Sequence, residues 1–139
     1  MEKYFEIAYK EALKAYKKDE IPVGAVIVKN DKIIAKSHND RQKKHKIIGH
    51  AEINVILKAE KKLNDWRLDG CELYVTLEPC NMCDAIIKES RITKVHYLIT
   101  NPQKSNTNKK QTIFNNKISI KYQKLLTNFF ENLRNKDIK

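Results

Sequence analysis

The six residues Val23-Gly24-Ala25-Val26-Ile27-Val28 include no polar side chain. A strand with one wet face alternates apolar and polar residues. A strand without that alternation must be covered on both sides, and the usual cover is a layer of helices on each face of a sheet. This one stretch therefore points to an α/β domain of three layers. Asn30-Asp31 turns the chain into a second strand through Ile33-Ile34-Ala35, forming a hairpin, and Cys71 to Leu77 and Lys94 to Ile99 read as a third and a fourth strand. Helices fill the intervals. Phe5, Ala8, Ala12, Ala15 and Tyr16 stand at three- and four-residue steps in an opening helix that Pro22 ends, and Ile53, Ile56 and Leu57 mark a second helix running to about Lys62. Pro79 suits the first turn of a third helix, from about Cys80 to Glu89. Thr100 to Thr112, rich in Asn, Lys and Gln, reads as a loop, followed by a short strand at Lys117 to Ile120 and a last helix from about Tyr122 to Leu133. The order α-β-β-α-β-α-β-(β)-α predicts a three-layer α/β/α fold around one central mixed sheet.

A chain of 139 residues, 41% hydrophobic and 32% charged, can bury one core, so residues 1–139 are expected to form a single domain. No apolar run approaches the roughly 20 residues of a membrane span. Met1-Glu2-Lys3-Tyr4 opens a charged amphipathic stretch without a signal-peptide pattern, so a cytoplasmic location is expected. The formal charge of +11 is unevenly spread: residues 1–84 carry 16 basic and 14 acidic groups, residues 85–139 carry 12 and 3. Eight Lys or Arg and no acid lie between Ser90 and Phe130, which suits a polyanionic partner such as nucleic acid. A Lys-rich composition of this kind also arises from AT-rich coding, so charge alone leaves a solvated surface equally open.

Chemistry concentrates in two segments, His50-Ala51-Glu52 and Pro79-Cys80-Asn81-Met82-Cys83, each at the start of an expected helix. Three cysteines are too few for a disulfide scaffold. Cys80 and Cys83, three apart, share a helical face near the N–H groups that stabilise thiolates. With His50 they make three ligands suited to tetrahedral zinc, the fourth position being left to water as in a catalytic site. Glu52, two positions from His50, projects elsewhere and is better placed as an acid and base than as a fourth ligand. A C-x-x-C pair alone is compatible with redox chemistry, and His45 with His50 has the spacing of a closed Cys2His2 zinc site. The conjunction of H-x-E with P-C-x-x-C is the known signature of zinc nucleobase deaminases. Cys71 reads as a buried small apolar residue, and His38 and His96 as strand residues.

At these motifs the sequence resembles the zinc-dependent cytidine deaminase superfamily, and within it the bacterial tRNA-specific adenosine deaminases. Pro22 to Val26, Asn39, His50-Ala51-Glu52, Leu73 to Cys80 with Met82-Cys83, Ser90-Arg91-Ile92 and Phe129-Phe130 stand in the family's order. The resemblance implies a cytidine deaminase-like fold and one Zn2+ per subunit on His50, Cys80 and Cys83. It implies hydrolysis of adenosine to inosine at the wobble position of a tRNA anticodon stem-loop by a homodimer, with Glu52 as the catalytic acid and base. It further implies that Asn39 bonds the purine edge, that the Ala51 N–H donates to substrate, and that Phe129 and Phe130 contact extruded nucleotides with Arg134 on the phosphates. Arg41, Lys43, Lys44 and Lys46 form a second basic run beside the expected site. The chain departs from the family pattern at Lys46-Ile47-Ile48, usually Asp-Pro-Thr, at Asp84, usually Ala, and at Leu98 to Asn106, which lacks the usual Gly and Asp. Two other readings share the zinc motif: a deaminase of free cytosine, guanine or a nucleoside, and a non-catalytic zinc-stabilised RNA-binding protein.

Overall fold

The computed structural model describes residues 1–102, 111–113 and 117–138. The elements are α1 (Glu2–Lys17), β1 (Gly24–Lys29), β2 (Lys32–His38), α2 (Arg41–Lys44), α3 (Ala51–Leu63), β3 (Cys71–Leu77), α4 (Asn81–Glu89), β4 (Lys94–Ile99), β5 (Gln111–Ile113) and α5 (Lys117–Ile138). Five strands form one sheet in the order β2-β1-β3-β4-β5. β1 is antiparallel to both β2 and β3, whereas β3, β4 and β5 are parallel, so the sheet is mixed as expected.

The alternation hidden in β1 becomes visible in its two cores. Ala25 and Ile27 pack with Ala51, Val55 and Ile56 of α3 and Ile87 of α4. Val26 and Val28 pack on the opposite face with Phe5 and Ala8 of α1 and Tyr122 and Leu125 of α5. Each fully buried Val or Ile contributes about 1.5–3 kcal/mol, so the strand is held equally from both sides. Gly24 lets α1 lie directly on the sheet: a Cβ there would stand 1.9 Å from the Ala8 carbonyl oxygen and 2.6 Å from the Ala12 nitrogen.

Three boundaries differ from the sequence expectation. α1 stops at Lys17, five residues before Pro22, because the chain turns at Asp19 in the left-handed region (φ 60°). Lys117 to Ile120 is the first turn of α5, not a strand. Ile118 joins Tyr122, Leu125 and Leu126 on one buried helical face, whereas Ile120, its partner in a strand-like alternation, is 61% exposed. The extra strand lies earlier, at Gln111–Ile113, within the stretch assigned to a loop; it is a three-residue edge strand with little pattern to read. Residues 103–110 of that loop lie outside the described residues. Among the described residues no helix is long and apolar enough to cross a membrane.

Candidate active site

The mixed sheet decides which loops meet. Because β1 runs against β2 and β3, its beginning lies at the same edge as the ends of β2, β3 and β4. Val23, Asn39, Leu77 to Cys80 and Ile99 to Pro102 are thereby gathered at one end, outside the carboxyl ends of the parallel strands, where open α/β sheets bind ligands. Backbone and side-chain bonds lace these exits together. Asn39 N–H donates to Val23 O (3.0 Å), Glu78 N–H to Ile99 O (2.9 Å) and Asn101 N–H to Glu78 Oε1 (3.0 Å). A cavity of about 820 Å³ opens here, with Asn39, Ala51 and Glu52 on one side and Phe130 and Arg134 of α5 on another.

His50 and Cys80 occupy the N-cap positions of α3 and α4, and Cys83 lies in the first turn of α4. α3 and α4 share one face of the sheet, so their N-termini converge. His50 Nδ1 lies 3.3 Å from Cys83 Sγ and 3.7 Å from Cys80 Sγ, and the three donor atoms all fall within 4.8 Å of one another. Bonds of about 2.1 Å to nitrogen and about 2.3 Å to sulfur at tetrahedral angles require donor separations of about 3.6–3.8 Å, so the triangle fits zinc. A hydrogen bond from the Cys83 thiol, reinforced by His50, draws the Cys80 sulfur down to about 3, and the same bond, with burial, pushes Cys83 upward. The bond to Cys80 likewise raises His50.

Glu52 stays outside the triangle. It is 4% exposed, and burial pushes its carboxyl up to about 7, against the opposing pull of His50 and a hydrogen bond with Cys83. A carboxyl in that range can both take and give a proton near neutral pH. Asn39, 6% exposed, spends its side-chain N–H on the Ile21 carbonyl (3.3 Å), while its Oδ1 is buried with no protein partner among the described residues. The amide nitrogen carries a second N–H, so a donor remains beside the unpartnered Oδ1 acceptor.

The structure separates the Phe pair. Phe130 lines the cavity with Arg134, one helical turn further on. Phe129 turns away, edge-on to Tyr16 at 6.2 Å, and borders a separate groove with Asn132 and Leu133. His45 is exposed at the left-handed end of α2 and takes no part in the triangle, so the closed Cys2His2 arrangement does not form among the described residues. His38 bonds Glu11 (2.9 Å), and His96 stacks on Tyr74 while reaching Glu72 (3.2 Å). Asp84 is buried, not turned to water, and Cys71 is buried as expected. Glu78, to which the sequence expectations assign no role, stands between Leu73 and Cys80. Its position directly before Pro79-Cys80 was the available signal, and it both lines the cavity and holds Asn101.

Comparison with known proteins agrees with this geometry. Residues 1–99 match the family described as the cytidine and deoxycytidylate deaminase zinc-binding region. A tRNA-specific adenosine deaminase of Bacillus subtilis is 49% identical over 102 residues, 73% of this chain, which spans 63% of that relative's length. One from Aquifex aeolicus is 38% identical over 145 residues, 96% of each chain. A structure from work on A-to-I editing by tRNA:A34 deaminases superposes with a TM-score of 0.73 at 35% identity, over 79% of this chain and 95% of that one. A guanine deaminase from Bacillus subtilis gives a TM-score of 0.68 at 37% identity, over 71% and 64%. The chain belongs to the cytidine and deoxycytidylate deaminase zinc-binding family, in the branch of the tRNA-specific adenosine deaminases.

Proposed function

We propose that the chain is a zinc-dependent hydrolase that converts adenosine to inosine at the wobble position of a tRNA anticodon. It acts in the cytoplasm as a homodimer, with residues 1–139 as one catalytic domain. The observation that carries this reading is a shared cavity: His50, Cys80 and Glu52 line the same space as Phe130 and Arg134. An aromatic ring and a guanidinium are the means by which unpaired RNA is held, and a free base has no phosphate for the guanidinium to bind. The tRNA is held by the core surface and by the second subunit.

Zinc on His50 Nδ1 and the two sulfurs would leave one tetrahedral position open and bring the pKa of a water there toward neutrality. The protein's own side chains manage the rest. As water adds to C6 of the purine, Glu52 accepts its proton and delivers one to N1. The carboxylate then takes the proton of the new C6 hydroxyl and passes it to the amine; the C6–N6 bond breaks as the C6 carbonyl forms, and ammonia leaves. Asn39 Oδ1 accepts a hydrogen bond from the purine edge, and the Ala51 N–H donates to the substrate. The test offers purified protein an anticodon stem-loop RNA and, separately, free guanine, cytosine and nucleosides. Inosine in the RNA supports the reading, whereas ammonia released only from a free base or nucleoside overturns it. Replacement of Glu52 by Ala should remove turnover and spare zinc. A wild-type protein that binds the RNA without turning it over would be a binding module instead.

A further inference from the structure

The segment joining β2 to α3 contains Arg41, Lys43, Lys44 and Lys46, with no acid between Asp40 and Glu52. Its one element, α2, is a single turn, which does not sustain itself in water, and Asp40 supplies no side-chain cap. The missing cap comes from 22 residues upstream. Glu20, 1% exposed, accepts the Gln42 N–H on Oε1 (2.9 Å) and the Lys43 N–H on Oε2 (2.6 Å). A buried carboxylate is costly unless it is bonded, and both oxygens of this one are committed to α2. The other side of the turn is equally fixed. A Cβ on Gly49 would stand 2.5 Å from Arg41 Cα, Asp40 N–H donates to Gly49 O (2.9 Å), and Asn54 Nδ2 donates to Asp40 Oδ1 (2.8 Å). The Arg41 backbone is thus clamped between Glu20 and the residue preceding His50. Arg41 lines the cavity, and among the described residues no carboxylate lies within ion-pair distance of it.

We propose that Arg41 is a specificity-determining residue that binds a phosphodiester flanking the inserted nucleoside, and that Glu20 is the positioning residue that holds it at the cavity wall. The inference rests on the RNA reading above and deepens it. A lone surface arginine would lose its ordering entropy for little return. One whose backbone is already fixed offers a planar, permanently charged fork that matches phosphate. The cavity then selects polynucleotide over free nucleoside on both sides, through Arg134 on α5 and Arg41 on α2.

The test uses the full chain, loaded with zinc, on anticodon stem-loop RNA. R41Q should raise KM about tenfold with kcat within about twofold, the loss expected of one charge-assisted hydrogen bond. The slope of log kcat/KM against log salt should become shallower by about 0.7, one phosphate contact to a single strand. Stem-loops carrying one neutral methylphosphonate, 5′ or 3′ of the target adenosine, should cost the wild type the same factor at one of the two positions and cost R41Q nothing further there. Unchanged KM in R41Q, or losses that multiply at both positions, would overturn the proposal. E20Q should raise KM about threefold, with no added loss in the R41Q background; lowered kcat at unchanged KM would overturn the positioning role. Failure of the wild type to act on unmodified RNA would overturn the underlying RNA reading instead.

Discussion

The two walls of the cavity are built on opposite terms. The wall formed by the starts of α3 and α4 is sunk in the core, with Ala51, Glu52 and Cys83 all buried. The wall formed by α5 is the outer face of a surface helix, where Phe130 is exposed and Arg134 reaches solvent. Packing against the sheet dictates where every atom of the first wall lies. In the second, packing fixes only the helix axis, through Ile118, Tyr122, Leu125 and Leu126, and leaves the outward residues free to differ. The difference teaches that the reaction is anchored by the fold, while substrate choice is written on a surface that the fold merely supports.

Five experiments follow from these assignments, four of which would break or sharpen that contrast. The largest effect is expected from C83S on the buried wall, which should abolish both bound zinc, measured by elemental analysis, and turnover, since the second sulfur closes the triangle. E52Q comes next: turnover should fall about 10³-fold with zinc retained, and activity within tenfold of wild type would remove Glu52 from its role. On the open wall, F130A should raise KM for RNA about tenfold, the cost of one lost stacking contact. F129A should instead lower thermal stability by about 1–3 kcal/mol through its lost packing on Tyr16, and a reversed pattern would mean that the Phe pair has been assigned the wrong way round.

The smallest effect concerns Glu11, beneath the hairpin. Burial raises its carboxyl, but hydrogen bonds from His38 and Lys14 outweigh burial and hold it below the ordinary carboxylate range. Its contribution is complete above the unfolded-state value and fades as pH falls through the lower native one. E11Q should therefore cost about 0.5–1.5 kcal/mol at pH 7, and its deficit in melting temperature should narrow as the pH drops toward 3. A deficit that stays constant with pH would mean that shape, not charge, stabilises there.

What could be read in advance follows the same division. β3 and β4 fall at the residues expected, and the donor triangle assembles as its spacing demands, because apolar runs and ligand intervals are local properties of the chain. The start of α5 was misread because Ile118 and Ile120 imitate a strand until Tyr122 and Leu125 join the helical face. Phe129 and Phe130 could not be told apart from sequence, since their roles depend on whether Tyr16, more than a hundred positions away, lies beneath one of them. Glu20 gave no signal at all. Its partners are backbone N–H groups, which carry no residue identity, and only the folded chain brings them within reach.

The Tyr122 hydroxyl donates to the Pro22 carbonyl at 2.7 Å, across 100 positions of sequence. Synthesis runs N-terminus first, so His50, Cys80 and Cys83 are all made before α5. The nascent chain can thus gather its metal ligands while the cavity still lacks a side. The metal ligands therefore precede in synthesis the helix whose docking supplies Phe130 and Arg134 to the cavity.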